Sequence, residues 1–265
     1  MHGGPVEIFW TGGWDSTFLL LRLLLVDGLT VQPLYLLDRT RASTQTEIDT
    51  MDRIRDALAH AHPGTRTSLL PTIMAEVADI APDAQIQAAG DRMSAQHGVG
   101  NQYPWMARYC KQHGKDDVEI GAERARHVHG AGLVLFDNLS EPFPCSRGYM
   151  TRRIFSDAPS HDAWLIYGAY SFSLIDTTRQ QMVDEAKRNG WGAFMGLTWF
   201  CHSPAGERRP CGLCNPCINA IQEGFGWRIP RSRRLLSAVY QKTLWPLRKT
   251  ARKLVLRRRL AAAET

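Results

Sequence analysis

Two short stretches of this 265-residue chain concentrate the residue types that do chemistry. The first is Thr11-Gly12-Gly13-Trp14-Asp15-Ser16-Thr17. It lies between a β-prone apolar run, Val6–Trp10, and an apolar helix-forming run, Ser16–Leu25. Adjacent glycines let a backbone turn sharply and approach a ligand closely. The unpaired N–H groups that open the following helix, together with its dipole, favour an anion. Thr11, Ser16 and Thr17 add hydroxyl donors, and Asp15 suits either a Mg²⁺ ion or a helix cap. A Gly-Gly turn with an Asp/Ser cap would account for the glycines alone. The full string between strand and helix points instead to a pyrophosphate held at the carboxyl edge of a parallel sheet. No Gly-Lys-Ser/Thr follows, so this is not a Walker loop, and it is not Gly-x-Gly-x-x-Gly.

The second stretch is Cys201-x9-Cys211-x2-Cys214-x2-Cys217, four of the six cysteines within seventeen residues. Four thiolates at this spacing suit tetrahedral Zn²⁺ with no open position, which makes a structural site. Cys₄ also holds iron–sulfur clusters, so spacing alone leaves the metal open, and redox or unliganded thiols are the plainer alternative. Pro210, Gly212 and Pro216 favour the tight turns that wrap a chain round a metal. Cys110 reads as a small core residue and Cys145 as a packed one. His127 and His129 stand two apart and read as surface residues rather than ligands.

These stretches need a frame. Val31–Leu37 is a second strand, and strand–helix–strand requires parallel pairing through a right-handed crossover. Thr46–His60 is amphipathic, with Ile48, Met51, Ile54, Ala57 and Leu58 on one face. Further strands are predicted at Thr67–Leu70, Asp117–Gly121 and Leu133–Phe136, and helices at Gln102–Lys111 and Thr178–Asn189. Glu141–Arg153 reads as loop, and Glu123 as a solvated charge. From Arg231 the chain is basic and helical up to Trp245-Pro246.

Hydrophobic residues at 44% and charged residues at 22% are ordinary globular usage and exclude a disordered or collagen-like chain. No apolar run reaches the ~18 residues of a membrane span, and residues 1–5 lack the plan of a signal peptide, so a cytoplasmic protein is expected. The net charge of +6 is uneven. Residues 226–265 carry twelve Lys or Arg against Glu264, a net of +11. Residues 1–225 carry twenty against twenty-five acids, a net of −5. The pI of 9.1 is therefore a property of the tail. A basic amphipathic tail can dock on its own domain or a dimer partner, or contact nucleic acid or an anionic membrane surface.

Thr11–Thr17 resembles the Ser-Gly-Gly-x-Asp-Ser loop of the PP-loop ATP pyrophosphatases, with Thr11 in place of the usual Ser. Thr198-Trp199-Phe200-Cys201 followed by Pro210-Cys211-Gly212-Leu213-Cys214-Asn215-Pro216-Cys217 is similar to the zinc signature of the 7-cyano-7-deazaguanine synthases. Together, over residues 5–225, they resemble that family. The resemblance implies a doubly wound, mostly parallel α/β sheet of the adenine-nucleotide-hydrolase type over residues 1–195. It implies a small Cys₄ zinc subdomain over 196–225, and leaves 226–265 as a basic helical extension. It further implies ATP, Mg²⁺ and structural Zn²⁺, the nucleotide lying along Thr11, Gly12, Gly13, Trp14, Asp15, Ser16 and Thr17, with Asp38 and Gly121 beside it. Asp15 and Ser16 would carry catalysis, and Cys201, Cys211, Cys214 and Cys217 the metal.

Substrate positions match less fully. Arg39 follows Asp38 where the family has Tyr-Gly-Gln, and Asn101 ends Gly98-Val99-Gly100-Asn101 in the place of a Gly-Arg-Asn stretch. Phe143-Pro144-Cys145-Ser146-Arg147 echoes Tyr-Pro-Asp-Cys-Arg, and Thr178-Arg179 replaces Thr-Lys. The implied reaction adenylates 7-carboxy-7-deazaguanine, releases pyrophosphate, forms an amide with ammonia, and by a second adenylation gives the nitrile, a step of queuosine biosynthesis. A homodimer is implied. The alternatives are the same chemistry on a protein, peptide or nucleic-acid acceptor, or RNA thiolation with sulfur carried by Cys145.

Overall fold

The computed structural model describes residues 4–124 and 131–245. In chain order the elements are β1 (Val6–Phe9), α1 (Trp14–Leu25), β2 (Val31–Leu37), α2 (Thr44–Ala61), α3 (Thr65–Ser68), β3 (Ile73–Glu76), α4 (Ala84–His97), α5 (Gln102–Gln112) and β4 (Val118–Ile120). They continue as α6 (Ala131–Asn138), β5 (Phe143–Pro144), β6 (Met150–Thr151), α7 (His161–Tyr167), β7 (Tyr170–Ser171), α8 (Arg179–Arg188), α9 (Gly192–Leu197), α10 (Asn215–Gln222) and α11 (Arg231–Thr243).

Five strands form one parallel sheet in the order β3-β2-β1-β4-β7. Side chains alternate across a strand. Val6, Ile8 and Trp10 therefore bury on one face, against α1, Met51 and Ile54 of α2, and Met182 of α8. Phe9, Leu34 and Ile120 bury on the other, against residues of α4, α5 and α7. Helices thus cover both faces, as a buried parallel sheet requires. Strand order reverses at β1, between β2 and β4. In open parallel sheets ligands lie outside the carboxyl ends of the strands at such a reversal.

A third apolar cluster, Trp199, Cys201, Cys211, Cys217, Ala220 and Ile229, lies beyond the sheet and is built on the cysteines. No helix among the described residues is long and apolar enough to cross a membrane.

Three local expectations change. Leu133–Phe136 lies inside helix α6, where the Asn138 amide donates to the Val134 carbonyl at 2.8 Å. Short apolar runs fit either structure, and here packing decides. Thr67–Leu70 gives only a single bridge, Val31 to Leu69, while Thr65–Ser68 is helical and the edge strand forms later, at Ile73–Glu76. The segment read as loop over 141–153 contains the small antiparallel pair β5–β6. His127 and His129 lie outside the described residues.

Candidate functional site

The loop between β1 and α1 sits at the carboxyl edge, at the reversal. Gly12 has φ of +69°, and a Cβ there would meet the Thr50 methyl at 2.8 Å. Gly121, at the end of β4, lies so close to α1 that a Cβ would stand 2.5 Å from the Ser16 nitrogen. Both positions therefore need glycine to keep strand, loop and helix in contact. The N-cap of α1 is Gly13, with no side-chain cap hydrogen bond. The N–H groups of its first turn remain available to an anion. The Ser16 hydroxyl turns back toward the Gly13 carbonyl at 3.5 Å.

Asp15 faces a cavity of about 330 Å³. Arg179, the first residue of α8, reaches Asp15 at 3.5 Å and Glu223 at 2.9 Å, and donates to Glu123 through both Nε and Nη2. Thr178 holds it there as the N-cap of a capping box with Gln181, and Arg124 lies bridged to Thr178 beside it. Three carboxylates thus surround one guanidinium. Asp15 keeps 30% of its side-chain surface, yet the depth of the cleft leaves its charged form poorly hydrated. That burial pushes its carboxyl up to about 7, Arg179 opposing and Glu123 and Glu223 reinforcing the rise. A poorly solvated Asp facing the cavity matches the needs of a divalent cation that arrives with phosphate oxygens.

The four cysteine sulfurs lie within 4.8 Å of one another. Cys211 and Cys217 are 3.9 Å apart and Cys201 and Cys214 3.8 Å, close to the ~3.8 Å that tetrahedral Zn–S bonds of ~2.3 Å produce. A disulfide would need ~2.05 Å. Backbone N–H groups of Cys211, Leu213 and Cys214 point at sulfurs at 3.2–3.3 Å, which suits thiolates. The cluster could hold a metal ion such as zinc.

The cysteine cluster also closes the cavity. The Trp199 N–H donates to the Gly12 carbonyl at 2.9 Å, joining the segment before Cys201 to the glycine loop. Phe225 packs on Trp14 with ring centroids 5.3 Å apart, and the Arg179 guanidinium lies over the Phe225 ring at 5.5 Å. Arg228 lies over Phe200 at 4.9 Å and donates to the Thr198 hydroxyl at 3.1 Å. It has no carboxylate partner among the described residues, and burial lowers its pKa to about 10. Arg41, Glu47, Gln102 and His202 complete the wall.

The structure brings Thr11, Gly13, Trp14, Asp15 and Arg179 together on this cavity. Gly12, Ser16 and Gly121 stand just behind, shaping the loop. Thr17 is fully buried, its hydroxyl accepting from the Trp10 indole at 3.0 Å, so it anchors the helix instead of facing ligand. Asp38 accepts from the Thr40 N–H at 2.9 Å in a local turn, Arg39 pairs with Glu76, and Asn101 is exposed at the start of α5. None of these three reaches the cavity wall. Arg147 is at the opposite end of the sheet, on Asp117 at 3.4 Å and the Pro5 carbonyl at 3.2 Å. The strands are parallel, so residues preceding β1 and β4 mark the amino edge, and Cys145 shares that hairpin. Glu123, read as solvated, keeps only 12% side-chain exposure against Arg179. Glu223, Phe225 and Arg228 were invisible as site residues; their only signal is proximity to Cys217. No protein-family model matches the chain, and no curated protein matches it.

Proposed function

We propose that this chain is an ATP-dependent ligase of the PP-loop kind, adenylating a carboxylate with release of pyrophosphate and passing the acyl group to ammonia. One observation carries the reading. An uncapped helix N-terminus, Asp15 and Arg179 converge on one cavity at the strand-order reversal of a parallel sheet. The N–H groups of Trp14, Asp15 and Ser16 would hold the β- and γ-phosphates of ATP, with the Thr11 hydroxyl at the rim. Mg²⁺, when bound at Asp15, would neutralise the charge developing on the departing pyrophosphate. Zn²⁺ in the Cys₄ site would be structural, fixing the wall that carries Trp199, Phe225 and Arg228.

The substrate carboxylate oxygen attacks the α-phosphorus, and the bond to the bridging oxygen breaks. Ammonia then attacks the acyl carbon, AMP leaves, a proton is lost and an amide forms. A second adenylation, at the amide oxygen, followed by loss of AMP and two protons gives a nitrile. The protein's part is positioning and charge stabilisation, with no nucleophilic side chain required.

The expected acceptor is 7-carboxy-7-deazaguanine. A second reading, the same chemistry on a different acceptor, is favoured by one placement: Phe143–Arg147 sits at the amino edge, away from the cavity. Metal-replete protein with Mg-ATP, ammonia and 7-carboxy-7-deazaguanine, followed by mass spectrometry, separates the two. AMP with the nitrile supports the first. AMP that requires a different carboxylate supports the second. Absence of AMP with every carboxylate tried overturns both.

A further inference from the structure

Helix α11 presents an unusual face to solvent. Ser237 is fully buried, and Gln241 donates to the Ser237 hydroxyl at 3.1 Å and accepts from Gln222 of α10 at 3.2 Å. The helix therefore rests on the cysteine-bearing subdomain through a small, polar side. Leu235 and Val239, one turn apart on the opposite side, are 72% and 60% exposed, and Leu236 flanks them at 45%. Trp227 just ahead of the helix and Leu244 just after it are also exposed. These five make up half of the ten exposed large hydrophobics among the described residues, gathered within eighteen positions. Scattered exposed leucines need no explanation, but a contiguous set does.

Cations frame this face. Arg231 and Lys242 are exposed one turn before and one turn after the Leu235–Val239 pair. Arg231, Arg233, Arg234 and Lys242 make no ion pair among the described residues. The chain from 226 onward carries a net of +11, against −5 for everything before it. An outward apolar strip between cations that make no ion pair among the described residues suits an anionic partner with an apolar interior beneath its charge.

We propose that the α11 face is a peripheral membrane-binding surface, seating Leu235, Leu236, Val239 and Trp227 at the acyl boundary of an anionic bilayer, with Arg231 and Lys242 on the headgroups. Nucleic acid would use the charge but leave the leucines in water, and a second copy of the chain would bring like charge against like. The proposal is independent of the reaction assigned to the cavity.

The test is flotation of the full, metal-replete chain with vesicles of phosphatidylcholine containing about a third phosphatidylserine. We expect binding that falls at least tenfold with pure phosphatidylcholine, and again with the exposed-face double variant Leu235→Glu/Val239→Glu. Arg231→Gln/Lys242→Gln should weaken binding and flatten its salt dependence. An unchanged circular dichroism spectrum of each variant separates lost binding from lost fold. Equal binding to neutral vesicles, or no loss in Leu235→Glu/Val239→Glu, overturns the proposal. So does duplex DNA binding without vesicle binding, or a dimer in solution that Leu235→Glu/Val239→Glu dissolves.

Discussion

The two edges of the same sheet use similar residues to opposite ends. At the amino edge, Arg147 and Arg153 meet Asp117, Lys115 pairs with Glu7, and the Tyr149 hydroxyl donates to buried Glu119 at 3.0 Å. Those charges fill each other's space. At the carboxyl edge, Asp15, Glu123, Glu223 and Arg179 also form ion pairs, yet they and the first turn of α1 leave about 330 Å³ open in front of them. Charge type does not distinguish the edges. What does is the arrangement: at the amino edge the charged groups close on one another, and at the carboxyl edge glycine-enforced backbone contacts and the cysteine-bearing wall leave open space in front of them.

The largest effect that would break this contrast is removal of the wall. Cys214→Ser, or chelation of the metal, should unfold the cysteine-bearing subdomain, since metal-binding free energy of order 10 kcal/mol is folding free energy there. We expect AMP formation to vanish while circular dichroism retains most of the sheet-domain signal. Metal analysis should give one zinc per chain in the wild type.

Next is Asp15→Asn, expected to lower turnover by roughly 10²–10³-fold, the scale of losing one preorganised charge-stabilising group. The same change should raise thermal stability at pH 8. The folded carboxyl is held at about 7 against 3.8 unfolded, so the folded state binds the proton more tightly. That contribution is fully present below about pH 4 and is lost as pH rises through 7. The wild type should therefore lose melting temperature between pH 5 and 8 relative to Asp15→Asn, and its Mg-ATP affinity should climb over the same interval. A flat difference would refute the role given to Asp15.

Gly121→Ala drives a methyl into the Ser16 backbone. It should cost about 1–3 kcal/mol by denaturant titration and weaken nucleotide binding together with it. The smallest effects belong to the amino edge. Arg147→Gln should leave turnover within about twofold, since Arg147 lies at the opposite edge of the sheet from the cavity. Cys145→Ser should leave AMP release unchanged, and loss of activity there would revive a sulfur-carrying role and erase the contrast between the edges.

Much of the carboxyl edge was legible in sequence because its signals are local. Gly12-Gly13 between an apolar strand and an apolar helix, and Cys-x-x-Cys spacing beside Pro210 and Pro216, report geometry within a few residues. What was hidden is held by long-range contact. Glu123 looked solvated because only the fold brings Arg179 to it across 56 positions. Phe225 and Arg228 become wall residues because the cysteine knuckle turns the chain back over Trp14 and Phe200. The place of Arg147 at the amino edge was not legible, because a five-residue likeness carries no information about sheet edge. Helix α6 and strand β3 were misplaced where short apolar stretches fit two periodicities.

The hydrogen bond from Trp199 to the Gly12 carbonyl is a single 2.9 Å contact, but it spans two chemistries. One end belongs to the segment that enters Cys201, the other to the peptide that shapes the glycine loop. If that loop's shape depends on the knuckle being formed, the two sites exchange free energy, and the exchange must be symmetric. Whatever anion the loop accepts would then raise the affinity for the metal by the same factor by which the metal raises the affinity for the anion. A protein built this way would hold a metal in the Cys₄ cluster most tightly while an anion fills the glycine loop, and least tightly when that loop is empty.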